Sequence, residues 1–406
     1  MYGGTTLQLE KTLRFPKLDR YFYPVVCPGM GADVSCDELL LTISACDGFA
    51  IGSSVAADMY HGKLGERIDF IDAIVNQVSS VKEMTGYYAI NIMKDIRFYK
   101  EAVEGAVKGG ADVIVVGAGM ADELPRLVAQ YAGTWDHPVN LVPKVSLPIA
   151  VRGICGMWNT NDNHHYIPDG MIIEGFGVGG HQGITMKRFL KLGEDQLLKD
   201  YDLEQVLIPG ALKVRGYRNN GPLIAAGGFF YHEDVCRVLY PQEGRDWTVD
   251  GVSVGTRFAG GSIESGFTDE VKRLIVASSE GDVKIMTNYG LSPAGFPICL
   301  LVTSPGLDTD YQEMCICDGL VAATPKAPMM PQRNDECPFA YMKEYDSACG
   351  AYGCSNGRSI ITCGRVAQFI DKVVSAREIY RELVGASEEF PTPAEKYGCR
   401  PPESGF

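Results

Sequence analysis

The sequence predicts a (β/α)8 barrel, an α/β fold, with a cysteine-rich C-terminal extension. Three observations carry that reading. Short apolar runs alternate with amphipathic stretches for about eight units between Tyr21 and Met286. That βαβα rhythm implies a parallel sheet with helical crossovers, and eight such units suit a closed barrel. From Leu291 onward the rhythm gives way to irregular, proline-rich sequence. A doubly wound sheet is the alternative. Against it, the first strand is not followed by a G-x-G-x-x-G fingerprint with a suitably placed acid.

The elements follow in order. "YPVVCPGMG" reads as a buried strand ending in a glycine turn, and "LLLTISACDGFAIG" as a helix followed by a strand. "RIDFIDAIVNQVSSV" has helical periodicity and "GYYAINIM" has strand character. "FYKEAVEGAVKGG" is a helix closed by glycine, and the strand "DVIVVGAG" comes next. "ADELPRLVAQYAG" is helical, "NLVPKVS" a strand and "LPIAVRGICGMW" helical. "NTNDNHHYIPDG" is a polar insertion, whose His164 and His165 read as solvated loop residues rather than metal ligands. "DGMIIEGFGVGGHQG" is a strand running into a glycine-rich loop, and "GPLIAAGGFF" and "VDGVSVGTRF" are strands followed at once by glycine. "QFIDKVVSAREIYRELVG" is the final helix. The expected organisation is an N-terminal arm at 1–20, the barrel at 21–290, the extension at 291–385 and a tail at 386–406.

The chain has 406 residues, 46% hydrophobic and 22% charged, with a net charge of −14. That acidity argues against nonspecific nucleic-acid binding. No apolar run approaches the ~20 residues that span a bilayer. The start, "MYGGTTLQLEKTLRF", lacks an apolar signal core, so a soluble cytoplasmic protein is expected. A homodimer is left open.

Barrels of this kind bind ligands at the C-terminal ends of their strands, often with a phosphate at the loops after strands seven and eight. Those loops are "AAGGF" (Ala225–Phe229) and "VGTRF" (Val254–Phe258). Backbone N–H groups of Gly227, Gly228, Gly255 and Thr256 would cradle a phosphate dianion, and Thr256 adds a hydroxyl; tight strand-to-helix turns are the other reading. "PGMG" (Pro28–Gly31) would bring backbone beside a flat ring system. Asn91 ends an apolar strand, where a buried polar group needs a partner, either a ligand or a structural one. His181 is the lone imidazole of "EGFGVGGHQG" (Glu174–Gly183).

"PVVCPGMG", "AINIM", "GADVIVVGAG", "PDGMIIEGFGVGGHQG", "PLIAAGGF", "DGVSVGTRF", "IESGF" and "SPAGFP" occur in an order that resembles the nitronate monooxygenase (2-nitropropane dioxygenase) family, which includes flavin-dependent enoyl-acyl-carrier-protein reductases. The resemblance covers about residues 21–300. It implies an FMN-binding barrel, with Gly29, Met30, Gly31, Asn91, Glu174, Gly179, Gly180, Ala226, Gly227, Gly228, Val254, Gly255 and Thr256 at the cofactor. His181 would move a proton at a carbon acidified by a nitro or thioester group, and the flavin would take the electrons or hydride. The substrate is then a nitronate or an acyl thioester, free or linked to an acyl-carrier protein. A nonredox phosphate-binding isomerase or lyase would use the same phosphate loops, and a scaffold subunit would bind FMN without turnover.

Thirteen cysteines are present, eight of them from Cys299 onward. Without a leader, metal ligation or buried thiols explain them better than disulfides. The polar insertion, the histidine loop and the cysteine-rich tail resemble the acyl-carrier-protein dehydrogenase/isomerase subgroup, which implies a [4Fe-4S] cluster. Cys315, Cys317, Cys337, Cys349 and Cys354 are its candidate ligands, with Cys299 and Cys363 as substitutes and only one of Cys315 and Cys317 binding. Zinc and free thiols are the other readings.

Overall fold

The computed structural model describes residues 8–31, 33–55, 69–95, 98–215, 221–287, 296–304, 307 and 361–398. Eight parallel strands close a barrel: β1 (Val25–Cys27), β2 (Phe49–Ser53), β3 (Ala89–Met93), β4 (Val113–Gly117), β5 (Asn140–Val145), β6 (Met171–Glu174), β8 (Leu223–Ala226) and β9 (Gly251–Ser253). The ring closes where β9 pairs with β1, Val252 beside Val25. The eight strands expected from the apolar runs are these eight.

The crossover helices form where the pattern places them. Phe70–Thr85 starts on Asp69, whose carboxylate accepts the Ile71 N–H at 2.8 Å, and stops at Gly86 with φ +79°. Its buried residues Phe70, Ala73, Ile74, Gln77, Val78 and Val81 fall at helical spacing, so one face packs on the sheet. The helix Leu124–Ala132 ends the same way, at Gly133.

Three parts differ from expectation. Leu13, Phe15 and Phe22 are buried and plug the barrel floor against Phe49, with Phe15 4.7 Å and Phe22 5.1 Å from its ring. Part of the expected arm is therefore barrel core. The final helix begins at Ala376 rather than near Gln368, because Ser375 caps it while Val374 pairs with Ser262 in extended form. The tail is anchored in part: Pro393–Tyr397 is helical, and Lys396 donates to the carbonyl oxygens of Ser44 and Ala45.

Outside the barrel, β7 (Gly180–His181), β10 (Val283–Met286) and β11 (Ile298–Leu301) form a small antiparallel sheet. The helix Ala376–Val384 docks on the barrel through Tyr380, which donates to the Val25 carbonyl at 2.9 Å. No helix among the described residues is long and apolar enough to cross a membrane.

Candidate active site

Strand periodicity builds the site. Successive side chains alternate faces, and Ile51, Ala89, Val115, Val142 and Ile172 point into the barrel core. Two residues further on, Ser53, Asn91, Gly117, Lys144 and Glu174 form the next inward layer and line a cavity of about 710 Å³ at the C-terminal mouth. Lys144 Nζ lies 2.5 Å from Glu174 Oε1. Pro28, Gly29, Met30 and Gly31 line the same cavity.

Two glycine loops form another part of the rim. Gly227 and Gly228 have φ +119° and +80°. Gly255 caps the short helix Thr256–Gly261. No acceptor among the described residues meets the backbone N–H of Gly227, Gly228, Gly255 or Thr256. The Thr256 hydroxyl oxygen already accepts the Gly364 N–H at 2.8 Å, leaving its proton to donate. Arg257, in the same motif, points elsewhere: it donates to the Phe230 carbonyl and pairs with Glu382, fastening this loop to the helix Ala376–Val384.

His181 is held on β7 rather than on a loose loop. Ile298 stands opposite it and Cys299 opposite Gly180. Gln182, 2% exposed, ties the loop from inside: its side-chain oxygen accepts the Gly177 N–H at 2.8 Å, and its amide donates to the carbonyls of Val178 and Gly180. Gly179 has to be glycine for a packing reason. An added Cβ would sit 2.9 Å from the Cys363 backbone.

Burial, and after it the Lys144 ammonium, push the His181 imidazole down to about 4. It is neutral at neutral pH and free to accept a proton. An NMR titration of the cofactor-free protein should give His181 a midpoint near pH 4; a midpoint near 6.5 would mean a solvated ring. The unfolded imidazole takes its proton near 6.5. This residue's share of stability is therefore full above that pH and declines as pH falls toward 4.

The structure gathers His181, Gly29, Met30, Gly31, Asn91, Glu174, Gly179, Gly180, Ala226, Gly227, Gly228, Gly255 and Thr256 around one cavity. Val254 is buried behind it, at 1% exposure. Glu174 has a protein partner in Lys144, which the sequence reading passed over; its place two residues beyond inward Val142 is the signal that finds it. Thr362, Gly364 and Arg365 of the extension also line the cavity, and Arg365 pairs with Glu194. They had no local signal. His164 and His165 are exposed turn residues. Cys315, Cys317, Cys337, Cys349 and Cys354 lie outside the described residues. Cys299 and Cys363 are buried free thiols behind the histidine loop, and burial keeps both protonated. Among the described residues, no three His, Cys, Asp or Glu side chains are placed to hold a metal.

Residues 16–295 match the family described as Nitronate monooxygenase. FabK from Thermotoga maritima is similar in fold, with a TM-score of 0.57 at 18% identity over 92% of this chain and 96% of that one. A nitroalkane oxidase from Streptomyces ansochromogenes has a TM-score of 0.56 at 14% identity over 89% and 94%. No curated protein matches the chain significantly.

Proposed function

Since the chain belongs to the nitronate monooxygenase family and is an FMN-dependent oxidoreductase, we propose that it acts on an acyl thioester, with His181 moving the Cα proton. The carrying observation is a neutral imidazole facing a cavity lined by Met93, Met120, Phe176, Leu198, Leu203 and Phe296. That lining offers an acyl chain more apolar surface than a small nitroalkane would cover.

The residues fit FMN. Four N–H groups with no acceptor among the described residues, at Gly227, Gly228, Gly255 and Thr256, suit a terminal phosphate. The Gly29–Gly31 backbone and the Asn91 amide suit the ring. When bound, FMN accepts the electrons or hydride. The chain itself orients the thioester, excludes water through its apolar wall and accepts the Cα proton on His181.

A carrier protein is the proposed partner. Helices Pro148–Trp158 and Met186–Leu192 contain no acidic residue. They expose Ile149 and Leu190 (74% and 67%) beside Arg152, Lys187 and Lys191. An exposed apolar residue beside cations on each helix suits an acidic carrier, on a chain whose net charge is −14. An iron–sulfur cluster on four of the C-terminal cysteines also belongs to this reading. Its support is the crowding of eight cysteines after residue 298, and no step of the reaction is assigned to it.

One anaerobic preparation tests these points. Denaturation should release FMN rather than FAD, and metal analysis should find about four irons and four sulfides per chain. Acyl thioesters should change the flavin spectrum faster than nitroalkanes, and carrier-linked thioesters faster than short ones. Response to nitroalkanes alone would overturn the substrate; flavin without iron or sulfide would remove the cluster.

A further inference from the structure

Lys144 sits where the barrel normally ends its packed interior. Its stem lies beside Gly117, the last residue of β4, and its ammonium reaches Glu174 at the end of the next strand. A partly buried ion pair is seldom more stabilising than an apolar pair of equal volume, so packing is a weak reason for a lysine here. Nor is the ammonium fully used. It carries three donors, and Glu174 is its one recorded partner among the described residues. Its side chain is 30% exposed, and that exposure faces the cavity. His181 lies close enough to feel its charge. Among the described residues, the other charged groups lining the cavity are Glu174, Asp202 and Arg365, and Arg365 is already paired with Glu194.

We propose that Lys144, oriented by Glu174, is a second catalytic residue: it hydrogen-bonds the substrate oxygen on which negative charge collects when His181 removes the Cα proton. The inference rests on His181 acting as that base. In the step the Cα–H bond breaks, and its electron pair enters the carbon–carbon bond while charge moves to oxygen. The imidazole gains the proton and Lys144 keeps its own. Glu174 holds the ammonium charged and aimed without covering all its donors. The pair thereby selects carbon acids whose anion rests on oxygen, such as thioesters, over those whose anion stays on carbon.

The test measures anion binding as well as turnover. Acetoacetyl-N-acetylcysteamine forms an ultraviolet-absorbing enolate, and propyl nitronate is a preformed oxyanion. Both are titrated into FMN-loaded wild type, Lys144→Met and Lys144→Met/Glu174→Met; the double variant keeps an apolar pair if the single one folds poorly. Wild type should hold the thioester as enolate about 100-fold in excess of the variants and bind nitronate about 100-fold tighter. Turnover should fall ~10²–10³-fold, the usual loss of one oxyanion donor. The same enolate preference should survive in His181→Ala, because binding a formed anion needs no base. Nitronate binding that depends on Lys144, with no thioester bound, would sustain Lys144 and overturn the substrate reading. Equal binding of both anions by wild type and variants would overturn the role of Lys144, whatever the variants did to stability.

Discussion

Replacing His181 with alanine should leave a folded, flavin-loaded protein whose flavin the substrate reduces ~10²–10⁴-fold more slowly, the usual worth of a positioned general base. The fold should survive for specific reasons. The backbone pairing of His181 with Ile298 does not involve the ring, and no hydrogen bond to the ring is recorded among the described residues. The loop is held by Gln182 instead. The ring faces the cavity rather than the core, so its loss opens no void between packed elements. Flavin content would be read from the absorbance spectrum and the reductive step by anaerobic stopped flow. Near wild-type reduction across pH would make His181 structural and remove the proposed chemistry. Imidazole added in solution should restore part of the rate, because the vacated space lies in the open cavity.

How far the site could be read in advance depended on whether a residue's place follows from its own strand. Asn91 and the glycines after β8 and β9 sit at strand ends, and "AINIM" or "LIAAGG" shows the end locally. The same reasoning should have found Lys144. "NLVPKV" reads as one apolar run, yet alternation places Val142 inward and Lys144 inward above it. The antiparallel clamp on His181 was out of reach. It is a two-residue strand paired with residues 298 and 299, too short for any period and joined by contacts distant in sequence. Arg365 reaches the cavity for a similar tertiary reason: the extension folds back over the histidine loop. The helix starts later than spacing alone predicts. "QFIDKVV" has helical spacing, but Val374 is claimed by Ser262 and Ser375 offers the better cap.

The phosphate cup is tested most sharply at Gly228. Its φ is +80°, and an added Cβ would meet no atom of the described residues within 4 Å. Gly228→Val therefore costs backbone strain, of order 1–3 kcal/mol, while its Cβ enters space open among the described residues. Any further loss must come from the ligand whose space the side chain takes. Gly244 is the control, an exposed turn glycine at φ +74° that also has nothing within 4 Å. Gly244→Val should lower the melting temperature about as much and leave FMN affinity unchanged. Gly228→Val should lower the melting temperature and also weaken FMN by about 100-fold or more, since a lost phosphate contact set is worth several charge-assisted hydrogen bonds at ~1.5–3 kcal/mol each. Gly227→Val should be worse in both respects, because its Cβ would also sit 2.7 Å from Val178 in the histidine loop. FMN fluorescence quenching gives the affinities, and thermal melts without flavin give the strain. If Gly228→Val and Gly244→Val bound FMN equally well, the phosphate would lie elsewhere on the rim. The N–H groups of Gly227 and Gly228 would then belong to an ordinary strand-to-helix turn.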